Sequence, residues 1–194
     1  VIFIGIDPGS SGAIAVIDGK RIEFYDTPTL AIKVGKTIKN KQDAAQCALM
    51  LRQITAVHQG DVKVTIERVA PMPSFKGPDG EDKPQAMGVT SAFTFGEGFG
   101  IWQGVCAGLL LPYQFVHPAT WKKAMMPGMT KDKDSSRARV MQLYPQCTPD
   151  IARKKDHARA DALLIAVWAQ REYDFGEPPI PKKQETVIHG LFED

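Results

Sequence analysis

The sequence has 194 residues, 43% hydrophobic and 24% charged, the size and balance of one globular domain with a sizeable core. No apolar run approaches the ~20 residues that span a bilayer and nothing resembles a signal peptide; because the sequence begins at Val1 rather than Met, it says nothing about a transit peptide. Cys47, Cys106 and Cys147 are far apart and form no C-x-x-C pair, which argues against a disulfide framework or a zinc site, and the net charge of +2 leaves any nucleic-acid partner to be sought in how the charges are distributed.

Val1 to Ile6 (VIFIGI) is a continuous apolar run, the mark of a strand buried on both faces, and it stops at the turn signal Asp7-Pro8-Gly9. Ala13 to Ile17 is a second strand, Asp18-Gly19 turns the chain, and Arg21 to Tyr25 returns as a third, giving a three-stranded antiparallel meander. Lys41 to His58 is predicted helical: Ala44, Ala48, Leu51 and Ile54 recur at helical spacing, with Asp43 in the first turn where a carboxylate suits the dipole. Val62 to Ile66 alternates as a fourth strand and ends at Glu67. Ala70 to Thr90 is rich in Pro, Gly, Lys and Asp and has no period, so it reads as a long loop or flap. Ser91 to Leu111 has a helical pattern but carries Gly96, Gly98, Gly100, Gly104 and Gly108, each costing ~1 kcal/mol against Ala inside a helix. Those glycines fit only where another backbone packs closely, or where the early ones form a loop. Tyr113 to His117 is a fifth strand, Pro118 opens a short helix, and Asp134 to Tyr144 forms another that Pro145 stops. The last helix runs from about His157 to Arg171, and Pro178 to Pro181 marks an extended tail. The expected fold is α/β, one domain over residues 1–175 with a five-stranded mixed sheet flanked by helices, followed by a tail over 176–194.

Asp7 ends the most apolar strand, where a carboxylate is costly to bury without a cation or several donors; its ordinary role is to cap the turn from Gly9 to Ser11. Glu67 ends a second buried strand, with Arg68 as an adjacent ion-pair partner. On a wheel of ~100° per residue, His157 lies about 40° from Asp161, and Leu164, Ile165 and Trp168 lie within about 60°. Asp161 and His157 therefore share the apolar stripe, and a core-facing carboxylate beside a histidine calls for a metal or a buried donor. Asp156 lies about 140° away and joins such a site only if the helix starts after it and the chain bends there; otherwise it is an N-cap. Carboxylates from three separate elements with a free histidine make a hard, oxygen-rich set that selects Mg2+ or Mn2+ over zinc. Two such ions ~3.5–4 Å apart can activate water and stabilise the leaving oxygen in phosphodiester cleavage. Basic residues are clustered, with Lys33, Lys36, Lys39 and Lys41 near the start. A later stretch holds Lys122, Lys123, Lys131, Lys133, Arg137, Arg139, Arg153, Lys154, Lys155 and Arg159. They form either a solvated basic face or a set of phosphate ligands.

Ile4-Gly5-Ile6-Asp7-Pro8-Gly9 resembles the opening strand motif of the RuvC-type Holliday junction resolvases, and Ile66-Glu67 resembles their second acidic position. His157-Ala158-Arg159-Ala160-Asp161-Ala162-Leu163-Leu164-Ile165-Ala166 resembles their closing helix. With His117-Pro118-Ala119-Thr120-Trp121-Lys122 and Thr130-Lys131-Asp132-Lys133, the likeness covers most of residues 1–171. The Lys-Lys-Asp-His run before the final helix is similar to the phage and chloroplast branch. The resemblance implies an RNase H-like fold, a homodimer, Mg2+ or Mn2+ as a pair of ions, and paired symmetric nicks in four-way DNA junctions during recombination. It implies that Asp7, Glu67 and Asp161 bind metal. Many members carry an acidic residue three positions before the last aspartate; here that position is Ala158, which leaves His157 or Asp156 to complete the site. The expected DNA-binding residues are Lys122, Lys131, Lys133, Arg137, Lys154, Lys155 and Arg159, with Phe75 and Lys76 in the flap. Residues 71–100 fall where the family reads the junction centre. Phe75, Phe93, Phe95, Phe99 and Trp102 are candidates for a wedge that stacks on unpaired bases, with Phe75 expected at DNA and Phe99 and Trp102 in the core. Such a protein is expected inside a chloroplast or other organelle, or in a phage-infected or bacterial cytoplasm.

Asp7 to Gly12 also resembles the first phosphate loop of actin-like ATPases and sugar kinases, but those need a second lobe that this length does not supply. The remaining alternatives are a catalytically inactive junction-binding protein of the same fold and an RNase H acting on RNA–DNA hybrids.

Overall fold

The computed structural model describes residues 1–58, 60–69, 88–129, 132 and 134–175, together with the backbone pairing of residues 75–76 and 82–83. The opening meander is present as β1 (Ile2–Asp7), β2 (Ala13–Asp18) and β3 (Arg21–Asp26). A feature absent from the sequence expectation follows. β4 (Thr29–Val34) and β5 (Thr37–Gln42) form a separate two-stranded hairpin, turned at Gly35 with φ +61°. The helix predicted from Lys41 therefore starts later, as α1 (Ala44–Val57). Asp43 is its N-cap rather than a first-turn residue, because its side chain accepts from the Gln46 N–H and Lys41 and Gln42 are held in the ladder.

β6 (Val62–Glu67) follows, then the paired dipeptides β7 (Phe75–Lys76) and β8 (Asp82–Lys83). Next come α2 (Val89–Gly108), β9 (Tyr113–Val116), α3 (Pro118–Met125) and α4 (Ser135–Leu143). Two 3-10 turns, Pro145–Ile151 and Lys154–Asp156, lead into α5 (His157–Phe175), which runs past the expected end at Arg171. The main sheet has the order β3-β2-β1-β6-β9, with β1, β6 and β9 parallel and β2 and β3 antiparallel to their neighbours. It is the expected mixed sheet, covered on both faces.

Strand alternation divides the core into two layers. Ile2, Ile4 and Ile6 of β1 pack with Cys47, Leu51 and Ile54 of α1 and Trp102, Val105 and Cys106 of α2. Phe3, with Ala13, Ala15 and Ile17 of β2, packs on the other face against α5, together with Trp121, Met125 and Val140. At the centre of that face β1 carries Gly5. A Cβ there would lie 2.1 Å from the Ala162 carbonyl oxygen and 2.6 Å from the Ala166 nitrogen, so the bare backbone is what lets α5 lie directly on the strand.

The glycines of α2 are all helical, none in a loop. Among the described residues only Gly98 meets a neighbouring backbone, the Pro8 carbonyl, and a Cβ at Gly96, Gly100, Gly104 or Gly108 would meet nothing within 4 Å. Those four, spaced by four residues, form an open stripe along the helix. Among the described residues no helix is long and apolar enough to cross a membrane.

Candidate active site

The parallel pairing of β1 with β6 puts Ile6 opposite Ile66. The next residues, Asp7 and Glu67, thus end adjacent strands on the same edge of the sheet, the carboxyl end at which open α/β sheets bind ligands. Close packing of α5 on Gly5 brings Asp161, the residue before Ala162, to the same edge. The three carboxylates feel one another. Burial, followed by the charges of Glu67 and Asp161, pushes Asp7 up to about 7, against the pull of the Gly9 N–H that donates to its Oδ1 at 3.2 Å and of the Lys122 ammonium. Burial, with the charge of Asp161, raises Glu67 even though Trp121 Nε1–H donates to its Oε1 at 2.9 Å and Lys122 opposes the shift. Asp161 is raised chiefly by burial, while a hydrogen bond from Ser136, Lys122 and His157 pull it down.

Negative charge is thus concentrated where water is scarce, and one ammonium, Lys122, acts on all three carboxylates. Among the described residues Asp161 Oδ1 is buried without a hydrogen-bond partner. An orphaned carboxylate oxygen among other carboxylates fits a hard divalent cation, and the all-oxygen donor set of Asp7, Glu67 and Asp161 suits Mg2+ or Mn2+ rather than zinc. The arrangement is open: among the described residues no three His, Cys, Asp or Glu side chains form a ready-made metal shell.

His157 opens α5 on the same side, close enough for its charge to act on Asp161. Its Nδ1 lies 3.2 Å from the Lys154 carbonyl. Asp156 is elsewhere. Arg153 grips both of its oxygens through Nε and Nη2, and the Arg153 N–H donates to Oδ2 at 2.9 Å. That grip holds its carboxyl below the usual range, and Asp156 is buried as the last residue of the 3-10 turn into α5, accepting from the Arg153 N–H; Arg153, not Asp156, stands at the N-cap.

Two of the expected DNA ligands are committed inside the protein. Arg159 makes a two-pronged pair with Asp26, both contacts 2.7 Å, and donates to the Asp150 carbonyl. Arg137 donates to the Ile151 and Ala152 carbonyls and to Asp134, tying α4 to the 3-10 turn. Lys154 and Lys155 are exposed, and Lys122 sits over the Trp121 ring, 5.1 Å from its centroid, at the carboxylates. Lys131 and Lys133 lie outside the described residues, as do the side chains of Phe75 and Lys76. Trp102 is buried and Phe99 packs against Phe115 at 5.1 Å, whereas Phe93 is 72% exposed. Sequence reasoning missed Trp121 and Ser136 as partners of the carboxylates and offered Arg68 for Glu67 instead. The available signal was Trp121 one residue before Lys122: a buried indole N–H needs an acceptor.

No family model matches the chain. It is 29% identical over 162 residues, 77% of its length, to the chloroplastic Holliday junction resolvase MOC1 of Chlamydomonas reinhardtii, and the match spans only 17% of that protein. Its fold is similar to that of Thermus thermophilus RuvC. Against RuvC in complex with a Holliday junction substrate the TM-score is 0.51 at 14% identity, covering 91% of this chain and 97% of that one. Against a second structure of the same protein it is 0.51 at 15% identity, covering 90% and 96%. The RNase H-like fold expected from the motifs is the fold observed.

Proposed function

We propose that this chain, RuvC-like in fold and similar in sequence to a Holliday junction resolvase, is a metal-dependent endonuclease that makes paired nicks in four-way DNA junctions. The observation that carries the reading is the mutually raised trio Asp7, Glu67 and Asp161 at one sheet edge, with an orphaned oxygen on Asp161. Asp7, Glu67 and Asp161 would hold Mg2+, in one or two ions. A bound divalent ion activates water and stabilises the leaving oxygen of a phosphodiester.

The protein's own groups do the rest. Trp121 Nε1 fixes the rotamer of Glu67, and Ser136 fixes that of Asp161. Lys122 offsets the negative charge of the site before substrate arrives and is placed to attract a phosphate. The contact between His157 Nδ1 and the Lys154 carbonyl makes Nδ1 the donor and orients the ring at the rim of the site. On this reading His157 rather than Asp156 completes the site, a choice supported by the Arg153 grip on Asp156. Lys154 and Lys155 with Lys131 and Lys133 supply backbone contacts, and the flap with Phe75 governs junction and sequence preference.

Paired nicks in a roughly two-fold junction call for two copies of the site, and the open glycine stripe of α2 is the face on which a second copy packs closely. The chloroplast address of the relative supports work in an organelle, with a phage-infected or bacterial cytoplasm as the alternative. The test is incubation with labelled four-way junction, linear duplex and RNA–DNA hybrid, each with and without Mg2+. Symmetric cutting of the junction alone, only with metal, is expected. Binding without cutting would make the chain a junction-binding protein; cutting of the hybrid would make it an RNase H.

A further inference from the structure

The β4–β5 hairpin plays no part in the carboxylate site, yet it is fixed beside it. Residues paired across two strands share a face, so Lys39, opposite Ile32, and Lys41, opposite Leu30, point to one side, while Lys33, opposite Ile38, points to the other. The Lys41 ammonium is bound to Glu97 of α2 at 3.0 Å. Next to it Gln42 is wedged at Gly98, where a Cβ would come within 2.8 Å of both the Gln42 Oε1 and the Pro8 carbonyl. The hairpin is thus clamped against α2 and against the loop that follows Asp7.

Between hairpin and helix the clamp leaves a cavity of about 210 Å³ lined by Ser10, Lys39, Thr90, Ser91, Thr94 and Phe95. Its chemistry among the described residues is one-sided: an ammonium and four hydroxyls, with no carboxylate in the lining. Among the described residues Lys39 has no ion-pair or hydrogen-bond partner, in contrast to Lys41 beside it. Thr94 spends its hydroxyl proton on the Thr90 carbonyl, 2.9 Å away, which holds the side chain in place at the cavity wall. Ser10 links this cavity to the cutting site. It lies three residues after Asp7, so their backbones are no more than about 11 Å apart.

We propose that this cavity is a phosphodiester subsite, which seats a phosphate of the DNA strand close to the one presented to Asp7, Glu67 and Asp161. The assignment rests on the DNA-cutting function proposed above and adds a second, metal-independent hold on the substrate. Lys39 supplies the charge, and Ser10, Thr90 and Ser91 supply hydroxyl donors to phosphate oxygens, with Thr94 forming the wall beside them. The hairpin thereby becomes a strand guide that sets which phosphate arrives at the carboxylates.

The experiment is equilibrium binding of labelled four-way junction and labelled duplex in EDTA, over a salt series, to the full chain and to Lys39→Ala, Lys39→Arg and Lys33→Ala. For Lys39→Ala the slope of log affinity against log salt falls by about 0.9, the value for one lost phosphate contact. Lys39→Arg keeps the slope, and Lys33→Ala, which removes the same charge from the opposite face, leaves it unchanged. With Mg2+, Lys39→Ala raises KM for cleavage and leaves kcat near the wild-type value. An unchanged slope in Lys39→Ala, or an equal loss in Lys33→Ala, overturns the subsite. Wild-type protein that binds DNA but does not cut it sinks the nuclease reading and leaves the slope test of the subsite intact. Wild-type protein that binds neither DNA overturns both.

Discussion

Gly5→Ala is the smallest change that attacks the active site from behind. The new methyl carbon would lie 2.1 Å from the Ala162 carbonyl oxygen and 2.6 Å from the Ala166 nitrogen. Both atoms are backbone, so no rotamer change relieves the clash. Reaching the 3.0 Å that real Cβ atoms keep requires α5 and β1 to part by about 0.9 Å. Overpacking of this kind costs roughly 1–3 kcal/mol of stability. The functional cost is larger in proportion, because α5 carries Asp161 and β1 carries Asp7. A misplacement of ~1 Å between groups that must act together can cost on the order of 100-fold in rate. Gly5→Ala is therefore expected to lower the urea midpoint modestly and the junction-cleavage rate by about two orders of magnitude, while junction binding in EDTA stays within a few-fold of wild type. Wild-type cleavage together with wild-type stability would refute the idea that strand–helix contact at Gly5 sets the spacing of the carboxylates.

Asp7→Asn and Asp161→Asn each keep the shape of the side chain and remove its charge, so both should abolish cutting and spare junction binding; normal cleavage by either at matched Mg2+ excludes the proposed site. In EDTA, Asp7→Asn should also melt higher than wild type near neutral pH, because the carboxylate is desolvated by burial and then opposed by the charges of Glu67 and Asp161; a lower melting point would contradict that cost. His58 has its ring nitrogens 2.8 Å from Asp18 and 3.1 Å from Glu23, and the hydrogen bond to Asp18 and then that to Glu23 raise its pKa. Only the imidazolium donates to both, so its contribution to stability is complete below the ordinary value of about 6.5 and disappears as pH rises through the higher folded value. The melting-point advantage of wild type over His58→Gln should then shrink as pH rises above the ordinary histidine value and through the higher folded one, and a constant difference would show that the ring stays neutral. Gly100→Ala with Gly104→Ala meets no atom within the chain and should raise intrinsic helix stability by about 0.5–1 kcal/mol per site, yet shift the protein toward monomer in sedimentation; an unchanged dimer would free that face from the interface.

The sheet and its acidic ends were legible because they obey local rules. VIFIGI and AIAVI are too apolar for anything but buried strands, and a carboxylate ending such a strand stands out. Helical spacing turned Asp161 toward the core beside His157, and the structure agrees. What stayed hidden depends on partners distant in sequence. Arg159 and Asp26 are 133 residues apart, so a basic cluster gave no sign that this arginine was already taken. Glu67 and Trp121, 54 residues apart, meet only because β9 delivers α3 to the end of β6. The β4–β5 hairpin is hidden for another reason: the lysines that alternate with its apolar residues look like a charge cluster, and the Gly35 turn has no partner residue such as Asn or Asp before it to mark it.

The hairpin is hydrogen-bonded as a strand pair only to itself, whereas β1 has a partner on each side and α5 lies flat on its back. An isolated two-stranded ribbon is marginally stable in water, so the ribbon's amides should exchange with solvent by local opening, while those of β1, β6 and α5 wait for the whole domain to unfold. The molecule thus separates two requirements that a cutting enzyme must meet together. On the proposed function, the groups that do chemistry sit on the framework expected to exchange most slowly, and the groups proposed to hold a strand sit on a ribbon fastened to it mainly through Lys41–Glu97 and the Gln42–Gly98 contact.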